Sequence, residues 1–267
     1  CPNDTFIFDA MVHGKVDTEG LEFDVILADV EELNSMAFNA ALDITKVSSH
    51  AYAYVAGNYL ILESGSALGF GNGPLLIAKR KFDLEKVDTL RIAIPGRFTT
   101  ANLLLSIARP RALNRKEYLF SEIENAILNG EVDAGLIIHE TRFTYQKRGL
   151  VKIADLGEYW ESLTGLPVPL GNIVISRRIG RETALAVGRT IRRSIEFALQ
   201  NPGSSYDFVS MNAKEMEEEV IRNHIELFVN DFSVQLGPSG KRAVEELFRT
   251  ASGRGIINEL PADIFLE

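Results

Sequence analysis

Among the four histidines of this 267-residue chain, His139 stands where chemistry is most easily done. It follows Leu136-Ile-Ile138 directly and so leaves a buried strand at its carboxyl end. An ordinary imidazole titrates near ~6.5, and its neutral form accepts a proton at physiological pH. A packed histidine with satisfied nitrogens is the other reading, and the residues alone leave both open. His13, beside Gly14, reads as helix-end punctuation; His50 lies close enough to Ser48 to touch a ligand cleft; His224 falls near the apolar stripe of a C-terminal helix and reads as structural. No pair of histidines has metal-ligand spacing with cysteine or carboxylates, so no metal is expected.

Three segments share one geometry. Ile44-Thr-Lys-Val-Ser48, Ile92-Ala-Ile-Pro-Gly-Arg-Phe-Thr-Thr-Ala101 and Gly135-Leu-Ile-Ile-His139 each run from strand into loop or helix start. Ligands of open α/β sheets bind beyond the carboxyl ends of strands, so all three are expected to face one cleft. Ser48, Thr99 and Thr100 sit where helix N-termini offer N–H donors and a dipole that favours an anion such as a carboxylate. Taken singly, each hydroxyl reads more simply as an ordinary helix cap. Gly69-Phe-Gly-Asn-Gly73 only superficially resembles a dinucleotide loop, since a strand rather than a helix follows it; a hinge or tight connection is the favoured reading. Tyr159 and Trp160 read as packing residues.

The elements that must carry these residues alternate between strand and helix patterns, which predicts an α/β architecture. Strands are predicted over 22–28, 44–47, 59–62, 74–78, 90–94, 133–139 and 171–176. Helices are predicted from Val30 to Leu42, from Thr99 or Thr100 to Ala108, and from a Ser121–Glu124 capping box to Leu128 with Gly130 as its stop. Towards the C-terminus, Leu185 to Leu199 shows helical spacing, Asn212 with Glu215 opens a helix striped by Met216, Val220, Leu227 and Phe228, and a last helix runs from about Ser239 to Ala251. Strand placement suggests two lobes crossed twice by the chain, residues 1–80 with 178–267 and residues 81–177.

Composition sets the outer bounds. Hydrophobic residues make up 46% and charged residues 24%, ordinary for a globular protein. No apolar run approaches the ~18 residues of a membrane span. A formal net charge of −9 disfavours nucleic acid as a partner but leaves room for a small anionic substrate in a locally positive pocket. The lone cysteine, Cys1, excludes internal disulfides and fits a reducing, cytoplasmic setting. A lipid-anchored solute-binding protein is the rival reading of Cys1, disfavoured because folded-looking sequence, Pro2 to Phe8, follows at once in place of a flexible tether. The missing initiator methionine is read as the loss of an initial strand.

Cys1-Pro-Asn-Asp-Thr-Phe-Ile-Phe8, Val12-His-Gly14, Tyr52, Pro95-Gly-Arg-Phe-Thr-Thr-Ala101, Ala134-Gly-Leu-Ile-Ile-His-Glu-Thr-Arg-Phe-Thr-Tyr145 and Leu163-Thr-Gly-Leu-Pro-Val-Pro-Leu-Gly171 together resemble the 1,4-dihydroxy-6-naphthoate synthase family nearly end to end. The resemblance implies a two-lobed fold like the type II periplasmic binding proteins, with the ligand in the cleft between lobes. It implies a carbon–carbon lyase of the futalosine route to menaquinone, which cleaves cyclic dehypoxanthinyl futalosine with neither organic cofactor nor metal. The family's Ile-Ile-His-Glu histidine falls on His139 as proton acceptor. Substrate contacts carry over to Lys46, Val47 and Ser48 and to Thr100 and Ala101; beyond the resemblance, Arg97 or Lys46 is expected to assist the substrate anion. Ser49-His50 stands where the family would be expected to carry a less polar pair. The sister chorismate dehydratase, of the same pathway and fold, is disfavoured by the Ile-Ile-His-Glu-Thr-Arg-Phe-Thr segment.

Overall fold

The computed structural model describes residues 2–213 and 217–267. In chain order the elements are α1 (Pro2–Val12), α2 (Val30–Phe38), β1 (Ile44–Ser48), α3 (Ser49–Val55), β2 (Tyr59–Ile61), β3 (Ala67–Gly69), β4 (Leu75–Ala78), β5 (Ile92–Ile94), α4 (Thr100–Ala108) and β6 (Arg115–Glu117). There follow α5 (Ile123–Asn129), β7 (Ala134–Ile137), β8 (Val151–Asp155), α6 (Leu156–Thr164), β9 (Val168–Ser176), α7 (Arg181–Gln200), α8 (Tyr206–Asn212), α9 (Glu218–Phe228), α10 (Asp231–Val234) and α11 (Gly237–Gly253). Short 3-10 turns join several of them, one of which, His139–Phe143, begins at the candidate base.

Two sheets organise the chain. The first is built on β9, whose nine residues pair antiparallel with β1 along one edge and with β2 and β3 along the other. The second has strand order β6-β5-β7-β4-β8, with β5 parallel to β6 and β7, and β4 antiparallel to β7 and β8. The chain therefore enters the second sheet at β4 and returns to the first at β9. Every residue of β4, β5 and β7 is buried, as expected of strands covered on both faces.

Local chemistry explains the helices that matter most here. Thr99 caps α4: its hydroxyl accepts from Asn102 N and donates to the Gly96 carbonyl at 2.8 Å. Leu103, Leu104, Leu105 and Ile107 then anchor α4 in the core. Gly130, in a left-handed conformation (φ 75°), stops α5 as its sequence indicates. Helix α1 is tied to α7 through Ser194, whose hydroxyl donates to the Ile7 carbonyl and accepts from Met11 N.

Several expectations need correction. Residues 22–28 form no strand; Val25, Ile26 and Leu27 stay largely exposed and line a cavity rather than pairing with a neighbour. Helix α2 stops at Phe38 rather than Leu42, because Ala40 turns left-handed (φ 48°). The Ser121–Glu124 capping box does not form; a 3-10 turn over Phe120–Glu122 leads into α5 without a side-chain cap. Asn212 ends α8 instead of opening a helix, Glu215 and Met216 lie outside the described residues, and α9 starts at Glu218. The Gly65–Gly73 connection holds β3, and its tightness has a concrete cause. The backbones of Gly73 and Gly157 touch, and a Cβ on Gly73 would sit 2.3 Å from the Gly157 Cα. Gly73→Ala is expected to lower the urea unfolding midpoint by the equivalent of ~1–3 kcal/mol, as overpacking does. Gly57→Ala, where an added Cβ meets nothing within 4 Å, serves as the matched control and should shift it little.

Candidate active site

A cavity of about 1020 Å³ opens where the two sheets face each other. Its walls take Lys46, Val47 and Ser48 from β1, Leu170 and Gly171 from β9, Thr99, Thr100 and Ala101 from the start of α4, and Ile137, Ile138 and His139 from the end of β7. The three strand-to-loop segments singled out in the sequence thus converge on one space. The crossing is tied by a direct bond, with the Thr100 hydroxyl donating to the Leu170 carbonyl at 2.5 Å.

His139 is half-buried and has a left-handed backbone (φ 58°), a conformation uncommon for a residue with a side chain. Its ring meets Phe120 edge-on at 5.0 Å and lies 6.2 Å from the ring of His224 on α9. Burial pushes the His139 pKa below its ordinary value, against the pull of Glu140, Asp4 and Asp29. His224 is pushed down to about 3 by burial, with His139 adding to the effect. Both rings are therefore neutral at neutral pH, the form that accepts a proton. His224, read from sequence as a packing residue, is also a wall of the cavity. The donor atoms of His139, Glu140 and His224 lie within 4.8 Å of one another, a grouping that no sequence spacing announced.

Lys46 is not an unpaired cation. Its ammonium forms an ion pair with the Asp4 carboxylate of α1. Burial alone would raise the Asp4 pKa, but Lys46 and the other positive neighbours together hold the carboxyl below its usual value. Ser48 is held by Asn34, whose amide oxygen accepts from Ser48 N at 3.0 Å; its hydroxyl makes no cap to α3. At α4 the first-turn amides of Thr100 and Ala101 have no carbonyl partner within the helix and lie in the cavity wall.

Arg97 and His50 sit elsewhere. Both line a second pocket of about 400 Å³ together with Phe38, Tyr54, Phe98, Asn102 and Ile256. The Arg97 guanidinium stands 5.7 Å from the Phe98 ring centre, and His50 Nδ1 bonds to the Thr99 carbonyl at 3.3 Å. Burial drives the His50 pKa down to about 4. The turn carrying Arg97 is held by Glu31 of α2, which accepts from Phe98 N and packs so closely on Gly96 (φ 153°) that a Cβ there would lie 2.6 Å from the Glu31 carboxyl carbon. The cavity wall instead includes Arg142, which sequence reasoning passed over; it donates to the Gly73 carbonyl at 3.0 Å and pairs with Asp155 at 3.5 Å. Asp4 was missed for a plainer reason, since nothing in Pro2–Phe8 marks it as a partner for β1. His13 follows α1 and bonds back to Asp9 at 2.8 Å, and Trp160 is buried with its indole N–H on the Pro167 carbonyl, both as their sequence settings suggested.

Two sheets facing a shared cavity is the fold of periplasmic binding proteins. A Candida albicans protein described as having that generic fold superposes with a TM-score of 0.71 at 12% identity, over 98% of this chain and 90% of that one. Residues 1–253 match the sequence family described as menaquinone biosynthesis, and the chain belongs to that family. It is 44% identical over 266 residues to a Thermus thermophilus protein named 1,4-dihydroxy-6-naphthoate synthase, covering 100% of this chain and 96% of the relative. A crystal structure from Archaeoglobus fulgidus superposes with a TM-score of 0.90 at 39% identity, over 96% of this chain and 95% of that one. Among the described residues no helix is long and apolar enough to cross a membrane.

The two fully buried neutral histidines have a consequence for stability. His50 and His224 titrate near 4 and near 3 when folded, against about 6.5 when unfolded. Between those values the unfolded chain binds more protons, so stability is full above about 6.5 and is lost as pH falls towards 4. The urea midpoint is expected to drop between about pH 7 and about pH 5, and to drop less in His50→Phe. An unchanged drop in that variant would show that His50 ionises as freely in the folded state as in the unfolded one.

Proposed function

We propose that this chain cleaves cyclic dehypoxanthinyl futalosine to 1,4-dihydroxy-6-naphthoate in the cytoplasm, with His139 as general base. The observation that carries this reading is a neutral imidazole, delivered at the end of β7 into a cavity large enough for a fused-ring nucleoside-derived substrate, in a chain 44% identical to a protein named for forming that product. The residues of the first sheet together with the N- and C-terminal helices form one lobe, and the residues of the second sheet form the other, with the substrate between them.

The placement of the groups supports the following chemistry. His139 removes a proton from the sugar-derived part of the substrate. The electron pair left behind forms a new double bond in the sugar-derived fragment as the carbon–carbon bond breaks and that fragment leaves, and the electrons of the broken bond flow into the ring system, which becomes aromatic. Burial supports this role, because a base that is uncharged at rest need not first lose a proton of its own. The substrate carboxylate is assigned to the first-turn amides of Thr100 and Ala101, where the dipole of α4 favours negative charge. Lys46 lies in the same cavity wall and lends part of its charge, the rest being taken by Asp4. Val47 and Ser48 shape the facing wall. Arg97, placed in the smaller pocket, is left out of the substrate contacts.

Turnover of the cyclic futalosine by His139→Ala is expected to fall by ~10²–10⁴ in kcat, the usual contribution of a positioned base. Lys46→Met should raise KM by ~10-fold or more, the loss of one charge-assisted contact, while Arg97→Ala leaves KM near that of wild type. Undiminished turnover in His139→Ala would remove the mechanism. A large KM effect confined to Arg97→Ala would move the carboxylate to the smaller pocket.

A further inference from the structure

The juxtaposition of His139, Glu140 and His224 goes beyond a general base. We propose that these three side chains form a binding site for a borderline divalent metal ion, of the Zn²⁺ or Co²⁺ type, and that the ion occupies it in competition with the substrate. Two imidazoles and one carboxylate are the donor set that such ions take in three-ligand sites with one position open. Here the donor atoms already lie within 4.8 Å of one another. Tetrahedral bonds of ~2.0–2.1 Å place ligand atoms about 3.3–3.4 Å apart, so closure needs shifts of about 1.5 Å or less, within reach of side-chain rotation.

Three features support the assignment. All three residues line the large cavity, which supplies an entry path for the ion. Glu140 and His224 are buried, so the ion would be drawn out of bulk water against fixed partners. The His139 and His224 rings already stand 6.2 Å apart, centre to centre. The ligands come from two separated pieces of the chain, the turn after β7 and the middle of α9, so the ion would also clamp α9 against the cavity wall.

The ion acts as an inhibitor in this scheme, because it takes the lone pair on His139 that the reaction needs. Metal-stripped protein is therefore expected to be active, and micromolar Zn²⁺ to inhibit competitively and reversibly with EDTA.

Titration with Co²⁺, followed by its visible d–d absorption, separates this proposal from the catalytic reading. Wild type is expected to bind one equivalent with the intense bands of tetrahedral coordination. His139→Ala should lose those bands, and His224→Gln and Glu140→Gln should weaken binding at least tenfold while melting like wild type. His13→Ala, a surface control, should titrate like wild type. Absence of tetrahedral bands in wild type, or their persistence in His139→Ala, would overturn the site. The first of these results combined with an inactive His139→Ala would leave the general base standing and the metal site refuted.

Discussion

Burial of one imidazole is the condition on which the rest of the site depends. As a base His139 would have to be uncharged, and its burial against Phe120 and His224 lowers its pKa and so favours that form. That environment needs β7 to end at a fixed depth. Gly135 helps to set the depth: a Cβ there would lie 2.5 Å from Ile123 Cγ2, so its absence lets α5 close tightly on β7. The left-handed turn at His139 then swings the chain out of the sheet at the point where the ring must stop. Backbone strain and burial are local costs that the surrounding packing holds in place.

The opposite wall is organised by contacts between elements that are separate in sequence. Thr100 on α4 bonds to β9 through the Leu170 carbonyl, and Glu31 on α2 supports the 96–98 turn that leads into α4. The Lys46–Asp4 pair joins β1 to α1. These bonds span elements far apart in sequence, so Lys46, the first amides of α4 and His139 are held around one cavity while the net charge of the chain stays at −9.

Much of this was legible in the sequence, for identifiable reasons. Buried strands such as β5 and β7 announce themselves as short apolar runs, and the Thr99 cap and Gly130 stop are local chemistry. His139 was visible as a histidine leaving such a strand, and the flanking motif pointed to its family. Other features could not be read because their causes are not local. Edge strand β6 is Arg-Lys-Glu, polar as exposed edges tend to be, and carries no apolar signal. Residues 22–28 alternate like a strand but find no partner. His50 and Ser48 are two residues apart, yet a helix start between them sends the histidine to a different pocket. His224 has the same apolar neighbours as any packed histidine, and only the docking of α9 brings it to His139.

The central claim is that His139 is held neutral in the cavity and serves as the base. The pH dependence of kcat/KM tests it most directly, because that profile reports the free enzyme's essential base. Since burial lowers the His139 pKa, activity should persist as pH falls through the ordinary imidazole value of about 6.5 and decline only below it, with a single acid limb that disappears from the residual activity of His139→Ala. An acid limb at or above about 6.5, or one that survives unchanged in His139→Ala, would contradict the account.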